Sequence, residues 1–136
     1  MEEAVSHTDG RVALVTGAAR GMGKAIALRL HQMGTAVALN DLDPRITTAT
    51  AEKIGEDVLA VPANITSLES VKQMVTMTLD HFGRLDILVN NAGILFPTQL
   101  EQITEEEWSK TLAVNLTGVF FCTQSVINPM KQQGYG

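Results

Sequence analysis

A chain of 136 residues is long enough to bury one sizeable core. With 45% hydrophobic and 18% charged residues it is not a disordered chain, and a formal net charge of −5 supplies no basic face for nucleic acid. The single cysteine, Cys122, excludes an intrachain disulfide, and His7, His31 and His81 stand at no metal-ligand spacing, so no metal site is expected and all three read as surface residues.

Residues 1–10 are polar and lack the apolar core of a signal peptide, so they read as a flexible lead-in. No run approaches the roughly 18 apolar residues of a membrane span. Cytoplasm is therefore the expected compartment, with no membrane partner, and the Asn-x-Thr sequons at Asn64 and Asn115 are read as chance matches. Arg11–Thr16 is the first predicted strand, apolar and β-branched enough for burial on both faces. Met22, Ile26, Leu30 and Met33 then recur at helical spacing, and Gly34 stops that helix. Thr35–Asn40 is the second strand. Asp43 caps and Pro44 opens a second helix that runs to Ile54 and ends at Gly55. Val58–Val61 is the third strand. Thr66 or Ser67 caps a third helix with Leu68, Val71, Val75, Leu79 and Phe82 facing inward, closed by Gly83. Leu85–Asn90 is the fourth strand. Thr104 and Glu107 form a capping box for helical sequence that continues to about Gln132, with a break near Asn115. Along it, Glu105-Glu106-Glu107 reads as a solvated helix start, Trp108 as a residue packed on the core, and Cys122 as core filler.

Strands that alternate with helices imply a parallel sheet with right-handed crossovers. The expected architecture over residues 11–136 is a Rossmann-like, doubly wound α/β fold with strand order 3-2-1-4, its crevice at the carboxyl ends of strands one and four. The stretch from Thr16 to Gly23, Thr-Gly-Ala-Ala-Arg-Gly-Met-Gly, joins the first strand to the first helix. A glycine turn there presents backbone N–H groups and the positive helix end to a phosphate anion. A P-loop is excluded, because five residues separate Gly17 from Gly23 and Ala25 stands where the magnesium-binding hydroxyl belongs. Asp41 ends the second strand, 18 residues after Gly23. A carboxylate at that place can accept from both hydroxyls of a ribose and repels a 2′-phosphate. Asp43 competes for the role but suits a helix cap better, and Arg20 in the glycine turn is the counterargument that would favour the phosphorylated cofactor.

The spacing Thr16-Gly17-x-x-x-Gly21-x-Gly23, in register with Asn90-Asn91-Ala92-Gly93 after strand four, resembles the short-chain dehydrogenase/reductase family. The resemblance implies that Gly17, Gly21 and Gly23 hold a dinucleotide pyrophosphate, with Arg20 and Met22 in the same binding turn. It places Asp41 on the adenosine ribose and Asn91, Ala92 and Gly93 on the adenosine side of the crevice. Asn64 stands where the family usually has an aspartate facing the adenine amino group; asparagine can still accept that bond. Asn115, amid Leu112–Phe120, reads on its own as a buried structural residue that bends the helix. The resemblance makes it instead the holder of a water in the family's proton relay, and so the one catalytic residue present.

The resemblance further implies an NAD-dependent oxidoreductase, with NADP less favoured, that moves hydride between the nicotinamide and a small secondary alcohol or carbonyl, and a whole protein that is a homo-oligomer. The family's serine and Tyr-x-x-x-Lys pair come after a fifth strand; Tyr135 is the only tyrosine and has no lysine four residues on. The expectation is therefore the cofactor-binding half of an incomplete sheet, inactive by itself. A non-enzymatic nucleotide-binding module is the alternative. A sugar-nucleotide epimerase is a weaker one, since its usual Gly-x-x-Gly-x-x-Gly differs from this spacing. Strand four would then form a bare edge, with Phe120, Phe121 and Val126 partly exposed, which predicts self-association.

Overall fold

The computed structural model describes residues 10–136; most of the predicted lead-in, and His7 with it, lies outside the described residues. The elements alternate as expected: β1 (Val12–Val15), α1 (Gly21–Gln32), β2 (Ala36–Leu39), α2 (Pro44–Ile54), β3 (Val58–Ala60), α3 (Leu68–Phe82), β4 (Ile87–Val89), α4 (Glu105–Leu112) and α5 (Val119–Gln133). The four strands form one parallel sheet in the order β3-β2-β1-β4, with Leu14 in register with both Ala38 and Leu88. The strands are shorter than predicted by one to three residues, and several of the residues left out, Thr16, Asn40, Asp86 and Asn90, bond the loops or helices through their side chains.

Strand side chains alternate between two cores. Val12 and Leu14 of β1 and Ala38 of β2 pack with Val71, Met74, Cys122 and Val126 of α3 and α5. Val15, Val37 and Leu39 face the other way, with Ala27 and Ile26 of α1. A period of two along strands buried on both faces is what makes the fold doubly wound. A fully buried leucine such as Leu14 contributes about 1.5–3 kcal/mol relative to exposure. Cys122 is buried as expected, and burial pushes its thiol up to about 11.

Helix ends obey the predicted chemistry. The Asp43 carboxylate accepts from the N–H groups of Arg45 and Ile46, Ser67 rather than Thr66 caps α3, and Thr104 and Glu107 complete the capping box of α4. The predicted break near Asn115 takes the form of a π-helical segment, Ala113–Gly118, between α4 and α5. Asn115 is exposed there rather than buried, because the widened turn rolls its side chain off the core face.

Three further expectations are corrected. Trp108 is 59% exposed, since α4 buries none of its residues and stands off the core. Val126 is buried while Phe120 is 56% exposed, because Cys122 and Val126, one turn apart, are the pair that α5 presents to α3. His31 is half-buried, its ring filling the space beside Gly55 that a side chain would occupy.

The amino end of the sheet is closed by a polar knot. The Asp86 side chain, wholly buried, accepts from the Val12 N–H at 2.9 Å and from the Arg84 guanidinium at 2.8 and 2.6 Å. The Gln133 amide at the end of α5 donates to the Leu85 carbonyl and to Asp86 Oδ1, and its Oε1 accepts from the Leu85 N–H. Burial pushes the Asp86 carboxyl up, but the Arg84 guanidinium, the Val12 N–H and the charge of Arg11 outweigh it and hold the group below its ordinary value. Arg11 lies over the Tyr135 ring at 4.5 Å.

Candidate functional site

The carboxyl end of the sheet opens into a cleft of about 380 Å3. Thr16 and Asn91 build its base. The Thr16 hydroxyl donates to the Val89 carbonyl and accepts from the N–H groups of Asn91 and Ala92, both at 3.1 Å. The Asn91 amide nitrogen donates in return to the carbonyls of Thr16 and Gly17 at 2.9 and 3.0 Å. The two loops after β1 and β4 are thus locked side by side with their backbone groups satisfied. Asn90, the other amide of the pair, takes no part; it donates to the Thr123 hydroxyl on α5.

That lock leaves room only for glycine. A Cβ on Gly17, whose φ is +62°, would stand 2.7 Å from the Ala92 Cα. A Cβ on Gly23 would collide with the Asn91 amide and the Gly17 carbonyl. Gly21 differs: its φ is +58°, but the space beside it is open. Its glycine serves the turn and keeps the approach to α1 clear. Met22 stands 74% exposed on the first turn of α1.

No side chain caps α1, and its first turn carries no acidic residue, whereas α2, α3 and α4 each have a capping oxygen. The first N–H groups of a helix have no acceptor within it. Those of α1 lie beside Gly17 and Arg20, both of which line the cleft.

Asp41 forms the opposite lip. Its Oδ2 accepts from the Ala19 N–H at 3.1 Å and its Oδ1 from the Leu42 N–H at 2.7 Å. The carboxylate is therefore fixed, half-exposed, with one lone pair on each oxygen still available. Two further bonds hold the glycine loop to this side: Ala18 N–H to the Asn40 carbonyl, and the Thr50 hydroxyl to the Ala19 carbonyl. The buried Asn40 amide donates to the carbonyls of Val61 and Ala63 and so carries the loop after β3 into the wall.

Asn64 lines that wall, but the acceptor role expected of its side chain is corrected. Its Oδ1 already accepts from the N–H and the hydroxyl of Thr66, at 3.0 and 2.7 Å. Both lone pairs are used, and only the amide nitrogen is left to offer.

Across the cleft, Asn115 grips the loop after β4 at one residue. Its Oδ1 accepts from the Ile94 N–H at 2.8 Å, and its Nδ2 donates to the Ile94 carbonyl at 2.9 Å. Gly93 lies alongside, where an added Cβ would stand 3.4 Å from the Asn115 Oδ1. Gly118, at the end of the π-helical segment, packs so closely on Ile65 of the β3 loop that a Cβ would come within 2.6 Å of the Ile65 side chain.

The cleft thus brings together Gly17, Arg20, Asp41, Asn64, Asn91, Ala92 and Gly93. Gly21, Met22, Gly23 and Asn115 stand behind or beside it. Sequence reasoning assigned nothing to Thr16, Asn40 or Thr50, the residues that hold the walls. Their signal is only a polar residue at the end of an apolar strand or inside a helix.

The profile described as short chain dehydrogenase matches residues 11–136. The chain belongs to the short-chain dehydrogenase family. Within the family it is 45% identical over 129 residues to a (2S)-[(R)-hydroxy(phenyl)methyl]succinyl-CoA dehydrogenase subunit of Thauera aromatica, covering 93% of this chain and 52% of that one. It is 44% identical over 130 residues to a 3-oxoacyl-[acyl-carrier-protein] reductase of Synechocystis sp., with 93% and 53% covered. A crystal structure of a 3-ketoacyl-(acyl-carrier-protein) reductase of Brucella melitensis complexed with NADH superposes with a TM-score of 0.89 at 38% identity, covering 93% of this chain and 52% of that one. The chain spans about half the length of these family members. Among the described residues no helix is long and apolar enough to cross a membrane.

Proposed function

We propose that the cleft binds NAD(H) and that the whole protein is an oxidoreductase acting on a secondary alcohol or a carbonyl. The observation that carries this reading is the pairing, across one cleft, of a glycine-walled, uncapped helix start with a fixed carboxylate at the end of β2. The residues fit the cofactor. Gly17 and Gly23 let the two loops close on each other, Gly21 keeps open space before α1, α1 offers unpaired N–H groups to the pyrophosphate, and the spare lone pairs of Asp41 suit two ribose hydroxyls. Bound there, a nicotinamide dinucleotide supplies a hydride donor or acceptor. The NADH complex of the Brucella melitensis reductase supports the same cofactor class.

Each of the chain's own residues does one thing in this reading. Arg20, Gly21 and Met22 shape the entrance over the pyrophosphate. Asn91, Ala92 and Gly93 bring backbone close to the adenosine side, and the Asn64 amide nitrogen faces the base as a donor. Asn115 is a positioning residue: through Ile94 it holds the wall beside the reacting end, and its exposed amide keeps one N–H and one lone pair for the relay water. The ionisable groups lining the cleft are Asp41 and Arg20, which this reading gives to the adenosine ribose and the pyrophosphate. The 136-residue chain is therefore proposed to bind cofactor without turning over alcohols.

Calorimetry with NADH and NADPH on this chain tests the reading. NADH is expected to bind more tightly, and Asp41→Asn to narrow the preference about tenfold, the worth of one charge-assisted hydrogen bond of about 1.5 kcal/mol. Tighter NADPH binding to the unaltered chain would transfer the specificity to Arg20 and sink the NAD assignment.

A further inference from the structure

Strand order fixes which loops are neighbours at the carboxyl edge of the sheet. The order is β3-β2-β1-β4, so Asp41, after β2, lies between the glycine turn after β1 and the loop after β3. Hydrogen bonds tie it to both. Its Oδ2 accepts from the Ala19 N–H, and its backbone carbonyl accepts from the Ala63 N–H at 3.1 Å. Asn64 follows Ala63 and lines the same cleft. A dinucleotide with its pyrophosphate on the glycine turn and its ribose on Asp41 therefore meets the loop after β3 with its base. Of the side chains lining the cleft there, Ala63 and Ile65 are apolar and Asn40 is 1% exposed, whereas Asn64 is exposed and polar.

The Asn64 amide is held one way round. Its Oδ1 accepts from the Thr66 N–H and hydroxyl, and a backbone N–H has to be met by an acceptor, which the amide nitrogen is not. The backbone of Asn64 is tied down as well: its N–H donates to the Ser70 hydroxyl at 3.0 Å, and its carbonyl accepts from the Ser67 N–H at 3.1 Å. The Nδ2 remains, a donor without a partner among the described residues. Adenine carries an amino group at the purine 6-position, which is a donor too. Two donors face to face leave an N–H without an acceptor on each side, whereas a 6-oxo group accepts from the amide.

We propose that Asn64 determines base specificity as a donor: the cleft binds NAD(H) without using its 6-amino group, and takes a nicotinamide dinucleotide whose purine has a 6-oxo group more tightly. This rests on the nucleotide reading above, which gives Asp41 to the ribose. Asn64→Asp reverses the demand. One carboxylate oxygen still serves Thr66, and the other stands where the Nδ2 was and accepts from the 6-amino group.

The test is calorimetry on the 136-residue chain with NADH and with reduced nicotinamide hypoxanthine dinucleotide, which carries the 6-oxo group. The hypoxanthine dinucleotide should bind about threefold to tenfold more tightly, the worth of one hydrogen bond between neutral groups. In Asn64→Asp the order should invert, with NADH ahead by a similar factor, and an unchanged urea midpoint should show that the bonds to Thr66 persist. Equal binding or tighter NADH binding by the unaltered chain overturns the proposal, and so does an Asn64→Asp chain that keeps the parent's preference. The comparison on the unaltered chain decides by itself if the variant folds poorly. Failure of the cofactor reading shows differently: neither dinucleotide binds, and the base specificity falls with it, whereas NADH binding with the wrong preference sinks the role of Asn64 alone.

Discussion

At the amino ends of the strands, the Asp86 carboxylate is enclosed by a guanidinium, a backbone N–H and the Gln133 amide, with none of its surface left to solvent. At the carboxyl ends, the Asp41 carboxylate also accepts backbone N–H groups, two of them, yet among the described residues it has no cation within ion-pair distance and keeps half its access. The first arrangement spends every lone pair on the protein and so fastens β1, β4 and α5 together. The second fixes the carboxylate in place and leaves capacity over. An aspartate at a strand end does not by itself say which of these it serves; the number of partners already taken does.

Substitutions at four positions break or sharpen that contrast, each measured by urea unfolding alongside NADH calorimetry. Gly23→Ala should have the largest effect, because the added methyl meets backbone and the Asn91 amide rather than a flexible side-chain tip. A loss of about 3 kcal/mol and abolished NADH binding are expected. Gly21→Ala is the control: with open space beside it, only the left-handed backbone is strained, at about 1–2 kcal/mol. Equal losses for the two would show that turn conformation, not the lock between the loops, governs the site.

Asp86→Ala comes next, at about 2 kcal/mol, because it strands the buried Val12 N–H, and NADH affinity of the folded protein should not change. Its pH dependence has a definite sign. The folded carboxyl titrates below the ordinary value of 3.8, so its stabilisation is complete above that value and is lost as pH falls through the lower, folded one. Asp86→Asn should therefore flatten the acid limb of the stability profile below about pH 4 and leave the neutral-to-alkaline limb parallel to that of the parent. A parallel shift at every pH would mean that the carboxylate contributes shape and not charge.

Thr16→Val is the smallest, about 1 kcal/mol, since the N–H groups of Asn91 and Ala92 that lose their acceptor are only half-buried. Unlike Asp86→Ala, it should weaken NADH binding, because it loosens the wall of the cleft. Unchanged NADH affinity would count against the lock as a determinant of the site.

The contrast also marks what the sequence could disclose. The β-α alternation, the strand order and three of the helix caps arise from local patterns: apolar runs, helical periodicity, and Asp43, Ser67 and Thr104 before their helices. The glycine turn and Asp41 were legible because spacing along the chain fixes their place relative to β1 and β2. The lock between Thr16 and Asn91 joins residues 75 positions apart, and nothing in either neighbourhood specifies the partner. Asp86 was equally silent, an acid in an apolar strand whose cation stands two residues away but whose amide partner is 47 residues distant. Trp108 misled because aromatic residues are so often core; here α4 has no second layer among the described residues to pack against. The break near Asn115 was legible but its π-helical form was not, because one extra residue per turn leaves helical periodicity almost intact over six residues.

Gly118 sets a limit on how the cleft can move. It joins the π-helical segment that carries Val114 and Asn115 to Ile65 on the opposite, adenosine-side wall. The two walls therefore meet at a strut with no slack, made of helix backbone against a branched side chain. The span between them cannot narrow further at that point, so the contact sets how far the jaws can close. Like the stop on a caliper, it leaves a least gap between the walls, and that gap is there before any polar group has to choose.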